Sequence, residues 1–80
     1  MTIEQQVKDI IEDVLVVESN EVTNEANLVR DLGMDSLDCL KLETALEEEF
    51  DIKIEEDAFE NIDTVQGVID YVVNVCEPDH

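Results

Sequence analysis

Apolar residues near the N-terminus recur at steps of three and four: Ile3, Val7, Ile10, Ile11, Val14 and Leu15. That spacing lines one face of an α-helix and does not fit the two-residue alternation of a half-buried strand. The same period returns in Leu42, Leu46 and Phe50, and again in Val65, Val68, Ile69, Val72 and Val73. A chain patterned in this way must bury helical stripes against one another. Hydrophobic residues make up 44% of the sequence but aromatics only 4%, so the core is built from Leu, Ile and Val. With 80 residues, the chain holds one modest core and buries roughly 60% of the surface its unfolded form exposes. A single domain over residues 1–80 is expected.

The helix boundaries follow from capping residues. Thr2 with Gln5 reads as a capping box for a helix over about 3–16. From Glu18 to Asp35 the period fades into Ser, Asn, Thr and Gly, which predicts a long loop pinned by Val22, Leu28 and Leu32. Asp35 or Ser36 can cap a second helix over 36–50, with Leu42, Leu46 and Phe50 as its core stripe. A shorter helix is expected over about 56–61, tied down by Ile54, Phe59 and Ile62. Asp63 or Thr64 opens the last helix, over 65–75, with Gln66 three residues after Asp63. The fold class is therefore all-α: a four-helix bundle of three longer helices and one short helix, with the long loop between the first and second. The tail Glu77-Pro78-Asp79-His80 is expected to fray.

Charge narrows the function classes. Four basic residues against 23 acidic ones give a formal net charge of −19. Nucleic-acid binding is excluded, because phosphate backbones need clustered Lys and Arg, and an anionic membrane surface is disfavoured for the same reason. Basic protein surfaces or cations are the expected partners. No apolar run approaches the ~18 residues of a membrane span, and the N-terminus has neither a basic nor an apolar leader region. A cytoplasmic location is expected. Cys39 and Cys76 form no CxxC pair, so they read as free thiols, and no metal site is expected.

The informative segment is Asp31-Leu32-Gly33-Met34-Asp35-Ser36-Leu37-Asp38. At 100° per residue the second helix places Cys39, Leu42, Leu46 and Phe50 on one side, with Leu37, Lys41, Thr44 and Glu48 nearly opposite. Leu37 is thus an apolar residue that the core does not need. Ser36 lies at the start of the helix, where unpaired N–H groups and the positive end of the dipole favour a phosphate. A phosphate esterified to that hydroxyl would be electrostatically at home. Taken alone, however, Ser36 reads as an N-cap serine.

Gly33-Met34-Asp35-Ser36-Leu37, followed by Leu46-Glu47-Glu48-Glu49-Phe50-Asp51-Ile52 and Thr64-Val65-Gln66, resembles the acyl carrier protein family over nearly the whole chain. The resemblance implies that Ser36 carries 4′-phosphopantetheine as a phosphodiester. Asp35 would orient the serine and the transferase chemistry, and Leu37 would be an apolar contact for partners. It further implies a stand-alone, non-catalytic carrier with no catalytic residues, expected to be monomeric and modified from coenzyme A by a phosphopantetheinyl transferase. The arm's thiol would hold acyl groups as thioesters for acyl-transferring and condensing enzymes with basic docking patches. Those patches would meet Asp38, Leu40, Lys41, Thr44, Glu47 and Glu48. An acyl chain could fold back among Leu42, Leu46, Ile54 and Ile62.

The resemblance implies fatty acid biosynthesis or a related dedicated pathway. Carriers of general fatty acid synthesis usually have an acidic residue at the position of Lys41 and apolar ones at those of Glu43 and Thr44. Leu28 also replaces a common Phe. A carrier for polyketide, modified-lipid or cofactor synthesis is therefore the alternative.

Two other classes compete. Asp35-Ser36-Leu37 overlaps the Gly-Asp-Ser-Leu motif of lipid hydrolases, but Met34 separates the glycine from the aspartate and the only histidine is His80. A serine without a base to activate it is a weak nucleophile. An acidic interaction or cation-binding module with an unmodified Ser36 predicts the same helices and charge. Cys39, one turn after Ser36, reads as a small core residue rather than a redox partner.

Overall fold

The computed structural model of the chain describes residues 2–55 and 57–76. Three α-helices surround one aliphatic core: α1 (Ile3–Leu15), α2 (Ser36–Phe50) and α3 (Val65–Cys76). Helix α1 packs against both of the others. No strand forms among the described residues, where Asn27 and Thr64 make only an isolated antiparallel bridge. No described helix is long and apolar enough to cross a membrane.

Thr2 caps α1 by accepting the Gln5 N–H at 3.1 Å. The reciprocal half of the expected capping box is replaced, because the Gln5 side-chain amide donates to Asp9 Oδ1 at 2.9 Å. A carboxylate one turn ahead is the stronger acceptor. Val7 and Ile11 are fully buried, with Ile3, Ile10, Val14 and Leu15 packed around them. The helix ends at Leu15, one residue short of the expected 16, because Val16 turns left-handed at φ 54°.

Helix α2 runs over residues 36–50. Leu42 and Leu46 are completely buried, which contributes about 1.5–3 kcal/mol each relative to exposure. Phe50 is only half-buried, since the chain turns away at Asp51, also left-handed at φ 54°. For α3 the cap is Thr64, whose Oγ1 accepts the Gly67 N–H at 3.2 Å. Gln66 forms no capping box, because its amide nitrogen donates forward to Asp70 Oδ1 at 2.9 Å.

The short helix expected over 56–61 is a 3-10 turn, Ala58–Asn61; Glu56 lies outside the described residues. Its bonds close at three residues, Ala58 N–H to Glu55 O and Glu60 N–H to Asp57 O, both 3.1 Å. A segment with one buried anchor, Phe59, has too little stripe to offset the cost of nucleating an α-helix. The tail Glu77–His80 also falls outside the described residues.

The long connection from α1 to α2 is closely tied to the core. Val22, Leu28 and Leu32 are buried as expected, and Ala26 and Met34 join them. Backbone bonds strap it to the approach of α3: Leu28 N–H to Asp63 O at 2.8 Å, Val65 N–H to Ala26 O at 3.1 Å and Gln66 N–H to Asn24 O at 2.9 Å. The Asn24 side chain accepts from Lys8 Nζ at 2.7 Å and donates to Gln66 Oε1, which joins this connection to α1 and α3.

Candidate functional site

Asn27 organises the chain that leads into α2. Its Oδ1 accepts the N–H groups of Val29 (3.0 Å) and Arg30 (2.8 Å), while its own N–H donates to Asp31 Oδ2 (2.7 Å). This turn brings Gly33 to φ +74°, a conformation that side-chain-bearing L-residues disfavour. A Cβ at Gly33 would meet no atom within 4 Å, so the backbone and not the available space requires glycine. Met34 then returns to the core, with its N–H on Leu28 O at 2.9 Å. Asp35 leaves in an extended conformation as the N-cap of α2.

Of the two expected capping candidates, Asp35 takes the role. Its Oδ1 accepts the Asp38 N–H at 2.9 Å, and Asp38 Oδ2 accepts the Asp35 N–H at 3.4 Å. Ser36 is the first helical residue and is exposed. Among the described residues its hydroxyl makes no hydrogen bond, and the N–H groups of Ser36 and Leu37 have no acceptor. These free donors at the positive end of a 15-residue helix suit an anionic ester on the Ser36 oxygen.

Cys39 is half-buried and its Sγ–H donates to Glu43 Oε2 at 3.3 Å. Burial first, then the hydrogen bond and the negative charge of Glu43, push the thiol up to about 11. At neutral pH it is a protonated packing group, because only the thiolate is nucleophilic.

The outward face of α2 carries the residues expected to dock partners. Leu37 is 67% exposed and Leu40 60%. Leu40, Lys41, Thr44, Ala45 and Glu48 line an open groove of about 360 Å³. Two of the expected docking residues have partners inside the fold. Asp38 is half-buried in the cap, and Glu47 Oε2 accepts the Ile54 N–H at 2.9 Å. Leu42, Leu46 and Ile54 lie in the core, and Ile62 packs against it from a half-buried position. These four line neither the α2 groove nor a second concavity formed by Gln6, Asp9, Ile10, Asp13 and Glu49. Among the described residues no group of three His, Cys, Asp or Glu side chains is placed to hold a metal ion.

The sequence pattern singles out neither Asn27 nor the core role of Met34. Asn27 followed four residues later by Asp31 is an Asx-type turn signal, and it could have been read as such. Met34 breaks any helical period and becomes a core residue only through the turn before it.

An aliphatic helical bundle with an exposed, unengaged serine opening its second helix is the arrangement of a carrier that holds cargo on a covalent arm. The chain belongs to the phosphopantetheine attachment site family, whose sequence profile matches residues 5–72, and it has the fold of the acyl carrier proteins. It is similar to a solved structure from Mycobacterium tuberculosis described as that of an acyl carrier protein. Identity is 38%, the TM-score is 0.83, and the match covers 90% of this chain and 96% of the other. The group that this family binds covalently is 4′-phosphopantetheine, and its carriers are generally non-catalytic.

Proposed function

We propose that this chain is a cytoplasmic, monomeric acyl carrier whose attachment atom is Ser36 Oγ. The observation that carries the assignment is the position of Ser36: exposed, first in α2, with its hydroxyl unengaged and two free backbone donors beside it. A phosphopantetheinyl transferase joins the Ser36 oxygen to the phosphate on coenzyme A's pantetheine half; the diphosphate bond breaks, adenosine 3′,5′-bisphosphate leaves, and the serine proton passes to a base of the transferase. When bound, the arm supplies a thiol that holds acyl groups as thioesters. Asp35 and Asp38 fix the backbone on both sides of the serine, so the arm springs from a defined point. The exposed Leu37 and Leu40 offer apolar contacts to the transferase and to acyl-handling enzymes. Lys41, Thr44 and Glu48 border that surface.

The cargo belongs to fatty acid biosynthesis or to a dedicated polyketide, modified-lipid or cofactor pathway. Leu42, Leu46, Ile54 and Ile62 are the walls an acyl chain would part, because the first three are aliphatic members of the core and Ile62 packs against it. The test is the intact mass of the protein after incubation with coenzyme A and a broad-specificity phosphopantetheinyl transferase. A gain of one phosphopantetheine, absent in Ser36→Ala, is expected. No gain in the unaltered protein would leave the unmodified interaction module as the correct reading.

A further inference from the structure

The groove on α2 contains a charge that the rest of the molecule does not lead one to expect. Lys41 is exposed on its rim in a chain of net charge −19, yet it forms no ion pair among the described residues. The pair that does form there is Lys8 with Glu4 at 3.2 Å. The geometry explains why. Asp38, one turn before Lys41, directs a carboxylate oxygen at the Asp35 N–H, and Glu48 stands seven residues away, about 10 Å along the helix axis. Lys41 thus presents an uncompensated cation beside the apolar Leu40 and Ala45. Going away from Ser36, the outward stripe runs Leu37, Lys41, Thr44 and Glu48: apolar, positive, neutral, negative.

A uniformly basic surface docked on this stripe brings like charges together at Lys41 as water is squeezed out, which penalises the complex. We infer that the α2 groove takes an acyl-handling enzyme whose docking surface places a carboxylate against Lys41, an apolar side chain in the groove and a cation against Glu48. The order of these charges fixes the direction of docking, with the partner's acid on the side nearer Ser36. Lys41 is thereby a specificity residue that selects among enzymes offering the same chemistry. The inference rests on the carrier reading of Ser36 and goes beyond it by stating the chemistry of the partner.

The test uses full-length carrier loaded with one acyl group, its loading verified by intact mass. The probe is a fatty-acid-synthase ketosynthase with a basic rim at its active-site entrance, chosen for measurable turnover with the unaltered carrier. Lys41→Glu is compared with Lys53→Glu, an equal change of net charge at an exposed site off the groove. At low salt Lys41→Glu should raise kcat/KM about five-fold while Lys53→Glu stays near the unaltered value, and the gap should close near about 0.5 M salt. Replacing each rim Arg or Lys of the ketosynthase in turn by Glu should yield one variant that prefers the unaltered carrier to Lys41→Glu. Equal effects of the two carrier substitutions, or none, overturn the role of Lys41 and leave the carrier reading standing. Failure to load at Ser36 overturns both.

Discussion

Asp35 and Asp38 hold each other's backbone across Ser36: each carboxylate accepts the other residue's N–H, at 2.9 and 3.4 Å, and the serine between them takes no part in the cap. The side chains that hold the cap are therefore different from the serine proposed to carry the arm.

Asp35→Ala should destabilise the fold by about 1 kcal/mol, the usual cost of losing an N-cap. Ser36→Ala should leave stability within about 0.5 kcal/mol of the unaltered protein, as for a surface change away from a structural feature. Urea titrations of the two variants separate these roles. A larger loss from Ser36→Ala than from Asp35→Ala would return the capping role to the serine.

The Cys39 thiol gives a second prediction. Burial and Glu43 push its folded-state pKa up to about 11, above the 9.0 of an ordinary cysteine thiol in the unfolded chain. Its contribution to stability is full below pH 9 and declines as pH rises through about 11, because the unfolded state loses the proton first. At pH 8, iodoacetamide should label Cys39 in folded protein much more slowly than after unfolding in urea. Glu43→Gln should speed labelling only in part, since burial is the larger cause of the shift. Labelling of the folded protein as fast as of the unfolded one would refute the protected thiol.

Val16 takes a left-handed conformation at φ 54° while 86% exposed. A β-branched residue is strained there, and no packing offsets the strain. Val16→Gly should stabilise the protein by about 1 kcal/mol, a rise in melting temperature of about 4–8 °C for a domain of this size. A fall in melting temperature would show that Val16 makes a contact outweighing its backbone strain.

The acidic surface predicts a salt response. With 23 acidic and 4 basic residues, and Lys8–Glu4 the ion pair formed among the described residues, repulsion dominates. The melting temperature at pH 7 should climb as NaCl rises from about 10 to about 500 mM, over which the screening length shrinks from about 30 Å to a few ångströms. A flat response would mean that the carboxylates lie too far apart to repel.

The helices were legible because burying a stripe imposes a period, so Leu42, Leu46, Val65, Val68 and Val72 could be placed inside from their spacing alone. The exposed Leu37, Lys41, Thr44 and Glu48 followed from the same projection. The connection between α1 and α2 was legible only at its apolar anchors. Asn24 meets Gln66 across 42 residues, and no local pattern encodes such a pair. Glu47 looks like a surface residue in the sequence because its partner is the backbone N–H of Ile54, a donor every residue but proline has. Asp35 and Ser36 were equivalent candidates for the cap until backbone geometry made one the N-cap and the other the first helical residue.

Gly33, left-handed at φ +74° with open space where a side chain would stand, makes this position a question of chirality. An L-alanine there meets no obstacle and still costs about 1–2 kcal/mol, because its own Cβ opposes the backbone. A D-alanine, introduced by chemical synthesis, has the mirror-image preference: it adopts this φ without strain and restricts the unfolded chain, which stabilises by about 0.4–1 kcal/mol. The glycine of the Gly33-Met34-Asp35-Ser36-Leu37 motif thus answers to handedness at the turn before α2, and the requirement is the same whatever arm, cargo or partner Ser36 meets.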